Sequence, residues 1–186
     1  MPPKLKTTKD DIINAAVEIV RIGGAQAINA RTIASMLNCS TQPIFSNFAT
    51  MDELRMAVIK KAETLCHESM LCETRKGLYP PNKAYSMAYI RFAKEEKELF
   101  RLLYMRDRTG EADTEDSEIA KQMGSMIQKS TGLEGNALSL FHLEMWAFVH
   151  GIATMLATGY LDLEWELISK MITDSYWGLR KQYGLE

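Results

Sequence analysis

The sequence is short of the residues that interrupt helices. Glycine occurs 11 times and proline 5 times in 186 residues, and no stretch alternates apolar and polar side chains as a half-buried strand would. That excludes a sheet-based fold and points to an all-α chain. Cysteine is scarce as well, limited to Cys39, Cys66 and Cys72. The count is odd, and a six-residue spacing sets Cys66 and Cys72 about 240° apart around a helix. A disulfide framework or a zinc site is therefore not expected, and a reducing compartment is.

Other absences narrow the class further. The opening residues, MPPKLKTTKDD, lack the apolar stretch of a signal peptide, and no uninterrupted apolar run reaches the length of a membrane span. The expectation is a cytoplasmic protein with no membrane partner. His67, His142 and His150 show no H-x-x-x-H spacing, and the last two lie about 80° apart around one helix. Neither a glycine-rich phosphate loop nor a nucleophile with a base beside it can be named. No metal, no cofactor and no catalytic residue is expected, so a helical enzyme or small-molecule carrier is the weakest reading.

Excess positive charge is missing too. The formal net charge is −2. Its distribution is uneven, because Lys4, Lys6, Lys9, Arg21 and Arg31 outweigh Asp10, Asp11 and Glu18 in residues 1–50. That part carries +2 and the remainder −4, a mildly basic head on an acidic body. Between Arg31 and Arg55 there is no basic residue at all.

What is present is a series of helix signals. Thr8 with Asp11 forms a capping pattern for a first helix, whose stripe is Ile12, Ala16, Ile19 and Val20 and whose end is Gly23-Gly24. Asn29 caps a short second helix that buries Ile33, Ala34 and Leu37. Asn38-Cys39 makes a tight turn, since asparagine tolerates the left-handed conformation. Ser40 is expected to cap a third helix with Ile44, Phe45 and Phe48 inward and Pro43 at its third position, where a missing N–H breaks no intrahelical bond. Thr50 with Glu53 opens a long fourth helix to about Leu78, and Tyr79-Pro80-Pro81-Asn82 breaks the chain.

Beyond the break, Tyr85, Ala88, Tyr89, Phe92 and Ala93 recur at one-face spacing, the mark of an amphipathic helix. KELFRLLYM continues as a short helix. Asp107 to Glu118 reads as an acidic loop, followed by a helix with Ile119, Met123, Met126 and Ile127 inward. The helix from about Asn136 to Thr158 is apolar almost all the way round, and one chain of this size cannot cover all of it. With the last helix, about Leu163 to Tyr183, it is expected to form a homodimer interface.

Three short helices, the second and third joined by a tight turn, outline a helix-turn-helix. The segment IINAAVEIVRIGGAQAINARTIASMLNCSTQPIFSNFATMDELRMAVI, Ile12 to Ile59, resembles the DNA-binding region of TetR-type transcriptional regulators. The resemblance runs without a gap through Ile33-Ala34, Ser40, Phe45, Phe48 and Glu53-Leu54. AYIRFAKEEKELFRLLYM, with Trp146 and His150-Gly151, resembles the WHG-type C-terminal class of that family.

The resemblance implies a helix-turn-helix domain over residues 1–50 and a ligand-binding and dimerisation domain over 51–186. It implies a homodimeric regulator, usually a repressor, that binds an inverted-repeat operator in double-stranded DNA and answers to a small-molecule effector. Family members usually carry Tyr where Phe45 stands, often His at Asn47 and Lys at Met51, and commonly Gly at Asn38. Three habitual phosphate contacts are thereby weakened or lost.

The expected DNA contacts are Arg31, Thr32, Ser40, Thr41, Gln42, Pro43, Ser46 and Asn47, aided by Lys4, Lys6 and Lys9 and by helix N-termini. Gln42 is the best base reader, because a bidentate amide suits adenine N6/N7, and Pro43 faces a thymine methyl. Phe92, Met105, Met123, Trp146 and His150 are the expected ligand-pocket residues, with the acidic loop at the pocket rim. A dimer of the same fold that acts through protein partners, with weak or no DNA binding, is the alternative function.

Overall fold

Helices begin where something satisfies their first backbone N–H groups, and for α1, α2 and α4 that something is a side chain. The computed structural model describes residues 7–109 and 118–185, without the side chains of 118–120. Every regular element among the described residues is helical. Helix α1 (Lys9–Gly23) starts on the expected capping box: the Thr8 hydroxyl accepts from the Asp11 N–H at 3.1 Å, and the Asp11 carboxylate accepts from the Thr8 N–H at 2.9 Å. These hydrogen bonds hold the Asp11 carboxyl below its usual range. α1 ends at Gly24, whose φ of 75° and ψ of 175° suit glycine alone.

A 3-10 turn at Ala25–Ala27, which the sequence pattern does not announce, leads to α2 (Ala30–Met36). Asn29 caps α2 by accepting from the N–H groups of Arg31 and Thr32, both at 3.0 Å. Helices α3 (Gln42–Asn47) and α4 (Met51–Arg75) follow. In α4 the Thr50 hydroxyl accepts from the Glu53 N–H at 3.1 Å.

After the double proline come α5 (Pro81–Glu95), α6 (Lys97–Tyr104), α7 (Glu118–Thr131), α8 (Gly135–Thr158) and α9 (Trp165–Gln182). Pro81 sits at the first position of α5, where a helix loses nothing by its missing N–H. The acidic loop read over Asp107 to Glu118 lies for most of its length outside the described residues, as does the Ile119 side chain.

The chain divides into two compact units, residues 1–65 with 96–106 and residues 66–95 with 107–186. In the first, α1 packs on α2, α3 and α6. Ile12, Ala16, Val20, Ile33 and Ile44 form its closed centre. Arg21 grips Glu96 through two hydrogen bonds of 2.9 Å.

In the second unit α5 packs on α7, α8 and α9. It is buried at every position from Ala84 to Ile90 and again at Phe92 and Ala93, so the one-sided stripe expected for it is too narrow. Alanine and serine on its other side let neighbouring helices approach there too. Helix α8 is buried along Phe141, Met145, Val149, Ile152 and Leu156 but leaves Leu140, Leu143 and Trp146 exposed. Among the described residues it is the one helix long and apolar enough to cross a membrane by length and composition. Here it packs on α5, α7 and α9.

Candidate nucleic-acid interface

Helix α3 is held from below by Ile44 and by Phe48 at its C-cap. Ile44 is fully buried and Phe48 nearly so, which fixes α3 against α1. The turn before it closes through the Cys39 N–H, which donates to the Ala34 carbonyl at 3.0 Å. Asn38 adopts a φ of 48°, the only positive φ of a non-glycine residue among those described. This is the left-handed turn expected there, and a branched side chain would be strained in it.

The expected cap of α3 is not formed. The helix starts at Gln42, and Thr41 occupies the cap position without a capping hydrogen bond. A Ser40 cap would accept from the N–H two or three residues on, and Pro43 removes the second of these donors. Proline therefore moves the helix start by one residue and becomes its second position.

Phe45 also departs from expectation. It is 54% exposed rather than part of the core. Helical spacing explains this: with Ile44 and Phe48 inward, Phe45 shares the outward face with Gln42 and Ser46, at i, i+3 and i+4. No polarity signal could reveal this, because an aromatic residue between two core positions reads as core.

The polar residues separate into committed and available groups. The Thr32 hydroxyl donates toward the Ala27 and Asn29 carbonyls, both at 2.9 Å, and accepts from the Asn29 N–H. It closes the α2 capping box, so the start of α2 has no spare hydroxyl and two of its N–H groups are already taken. The Ser46 hydroxyl donates to the Gln42 carbonyl at 2.9 Å and the Asn47 amide to the Pro43 carbonyl at 2.7 Å. Ser40, Thr41 and Gln42 form no side-chain hydrogen bond among the described residues, and Ser40 and Gln42 are exposed.

Charge is scarcer than the sequence implies. Lys9 is not a tail cation: it pairs with Glu53 at 3.2 Å and lies 4.6 Å over the Phe48 ring. Glu53 also accepts the Ala49 N–H, and that bond, with Lys9 second, holds its carboxyl below the usual range. Arg55 pairs with Asp52 at 2.7 Å. Arg31 is exposed and forms no ion pair among the described residues. Lys4 and Lys6 lie outside those residues.

The residues expected at a ligand pocket fall in both units. Phe92 on α5 is buried and Met123 on α7 half-buried. On α8, Trp146 stacks on His150 with ring centres 4.7 Å apart and planes 9° from parallel. The His150 Nδ1 shares a 2.8 Å hydrogen bond with the Tyr89 hydroxyl of α5, and burial lowers the imidazole pKa below its ordinary value. Met105 belongs to the first unit, where it lines an open cleft of about 360 Å³ with Gln26, Glu98, Leu102 and Arg106.

Residues 83–173 match the family model described as "Tetracyclin repressor-like, C-terminal domain". Residues 83–173 thus form a TetR-type C-terminal domain. Three solved structures share the TetR-type fold. A TetR-like transcriptional regulator from Rhodococcus sp. RHA1 is 15% identical with a TM-score of 0.67, covering 98% of this chain and 100% of its own. A TetR-family member from Streptomyces coelicolor A3 is 16% identical with a TM-score of 0.65, covering 90% and 96%. The multidrug binding protein EbrR, complexed with imidazole, is 16% identical with a TM-score of 0.61, covering 90% and 88%. No curated protein matches the chain in sequence.

Proposed function

We propose that this TetR-type chain is a transcription regulator, acting as a repressor. It binds an inverted-repeat operator as a homodimer and responds to a small molecule held in its C-terminal domain. The proposed division of labour is DNA contact by residues 1–50 and effector binding and dimerisation by 51–186. The observation that carries the reading is the outward face of α3, where an exposed Gln42 amide, making no side-chain hydrogen bond among the described residues, sits next to a tight Asn38 turn. Arg31, Ser40 and Thr41 position this face on the backbone, while Gln42 reads a base edge and Pro43 adds an apolar ring beside the groove.

Dimerisation through α8 and α9 is supported by apolar side chains that one chain leaves in water. Leu140 is 50%, Leu143 57% and Trp146 44% exposed on α8, as are Leu167 (47%) and Trp177 (55%) on α9. A self-complementary patch of this kind is what a two-fold dimer covers. An effector held among Phe92, Met123, Trp146 and His150 would favour one dimer geometry over another and so change operator affinity. The shift equals its difference in affinity for the two states.

A second reading, a dimer acting through protein partners, is favoured by one observation, the pairing of Lys9 and Arg55 with acidic neighbours. A salt series separates the two. The regulator selects specific duplexes from a genomic library, and its affinity falls only gently with salt because few phosphates are neutralised. Failure to enrich any sequence at about 50 mM salt would reject the regulator.

A further inference from the structure

We propose that Phe45 is a specificity residue which reads the C5-methyl group of thymine in the major groove. The inference rests on the operator-binding reading above. Phe45 is 54% exposed on a six-residue helix whose inward side is already filled by Ile44 and Phe48. It is the one exposed aromatic side chain of its unit among the described residues.

Its neighbours on the outward face are Gln42 one turn before and Ser46 beside it. The Ser46 hydroxyl hydrogen is committed to the Gln42 carbonyl, which leaves only acceptor lone pairs facing outward. The face therefore offers one amide, one ring and one acceptor, and no cation.

Each part of DNA can be tried against that ring. A phosphate gains nothing from it, since phenylalanine has no donor, and a ring pressed on a phosphate would strip water from a charge without replacing it. In the major groove, guanine, cytosine and adenine present polar atoms at their edges, and the thymine methyl is the apolar group there. With the amide of Gln42 suited to adenine, the face as a whole fits A·T pairs, the ring on the methyl and the amide on N6/N7 of a neighbouring adenine. A recognition helix without charge then gains contact area where a basic one would gain ion pairs.

The full-length protein is first used to select duplexes from a random library, and the selected site is resynthesised with deoxyuridine replacing thymidine one position at a time. One thymine per half-site is expected to matter, with about four-fold weaker binding when its methyl is removed. At that position 5-methylcytosine should bind better than cytosine. Phe45→Ala should bind the thymine and uracil forms equally, and Phe45→Leu, which keeps an apolar side chain on an exposed site, should retain a preference. Uniform tolerance of deoxyuridine in a selected site overturns the proposal while leaving the regulator standing, as does discrimination that survives in Phe45→Ala. Selection of no site at all overturns both.

Discussion

In the unit that carries the helix-turn-helix, α1 and α2 begin on reciprocal capping boxes, Thr8 with Asp11 and Asn29 with Thr32. In the other unit, α8 and α9 begin at Glu134 and Glu164, neither of which makes a capping hydrogen bond. The first set of helices is defined by contacts three residues apart. The second is defined by neighbours far away in sequence: Phe141 of α8 is fully buried, edge-on to Tyr176 at 5.8 Å and Tyr183 at 5.5 Å. A cap contributes about 1 kcal/mol, whereas a buried aromatic contributes several. Short helices that must present a face to a partner can be bounded by local chemistry. Long helices that enclose a core are bounded by what packs against them.

The most severe way to break this contrast is Phe141→Ala. It should destabilise the second unit by about 3–5 kcal/mol, read by urea unfolding of the full chain. A loss near that of a cap would show that α8 is not held by packing.

Gln42→Ala comes next, on function rather than stability. Binding to the selected operator should fall by about 1–3 kcal/mol at one base position. A uniform loss over all sequences would make Gln42 a backbone contact instead. Unfolding should be unaffected, since its side chain forms no hydrogen bond among the described residues.

Asn29→Ala tests the local side of the contrast. It removes the acceptor for two α2 N–H groups and should cost about 1 kcal/mol, with weaker operator binding as α2 frays. Hydrogen exchange at Arg31 and Thr32 should accelerate while exchange in α8 stays unchanged. If α8 accelerates equally, the two units unfold as one.

The smallest effect concerns pH. Burial lowers the His150 pKa from its ordinary value of 6.5, so on acidification the unfolded chain takes up that proton first. The contribution is fully present above that value and is lost as pH falls below it toward the depressed folded pKa. The melting temperature should therefore drop more between pH 7.5 and 5.5 in the wild type than in His150→Gln. Equal drops would mean that solvent reaches the ring as freely in the folded chain as in the unfolded one.

Much of the first unit was legible because its signals are local. Thr8, Gly24, Asn29 and Asn38 each act on backbone groups within a few residues, and each stands where the pattern puts it. Ser40 failed as a cap because α3 starts one residue later, with Pro43 removing one of the two N–H groups that Ser40 could hold, and the 3-10 turn at Ala25–Ala27 carried no signal. Phe45 was misread because hydrophobicity alone does not tell an inward ring from an outward one when Ile44 already fills the inward position. In the second unit, apolar pattern located α5 and α8 but not their degree of burial. Both are rich in apolar residues, yet α5 is enclosed and α8 is left open on one side.

The chain by itself determined an all-α fold, the starts of α1 and α2 and the turn at Asn38, because capping and backbone geometry act over one turn of backbone. Tertiary structure decided which residues face water. It tied Lys9 to Glu53 and Phe48 and turned Phe45 outward. Those outcomes depend on distances between segments far apart in sequence, and side-chain type and spacing carry no record of them.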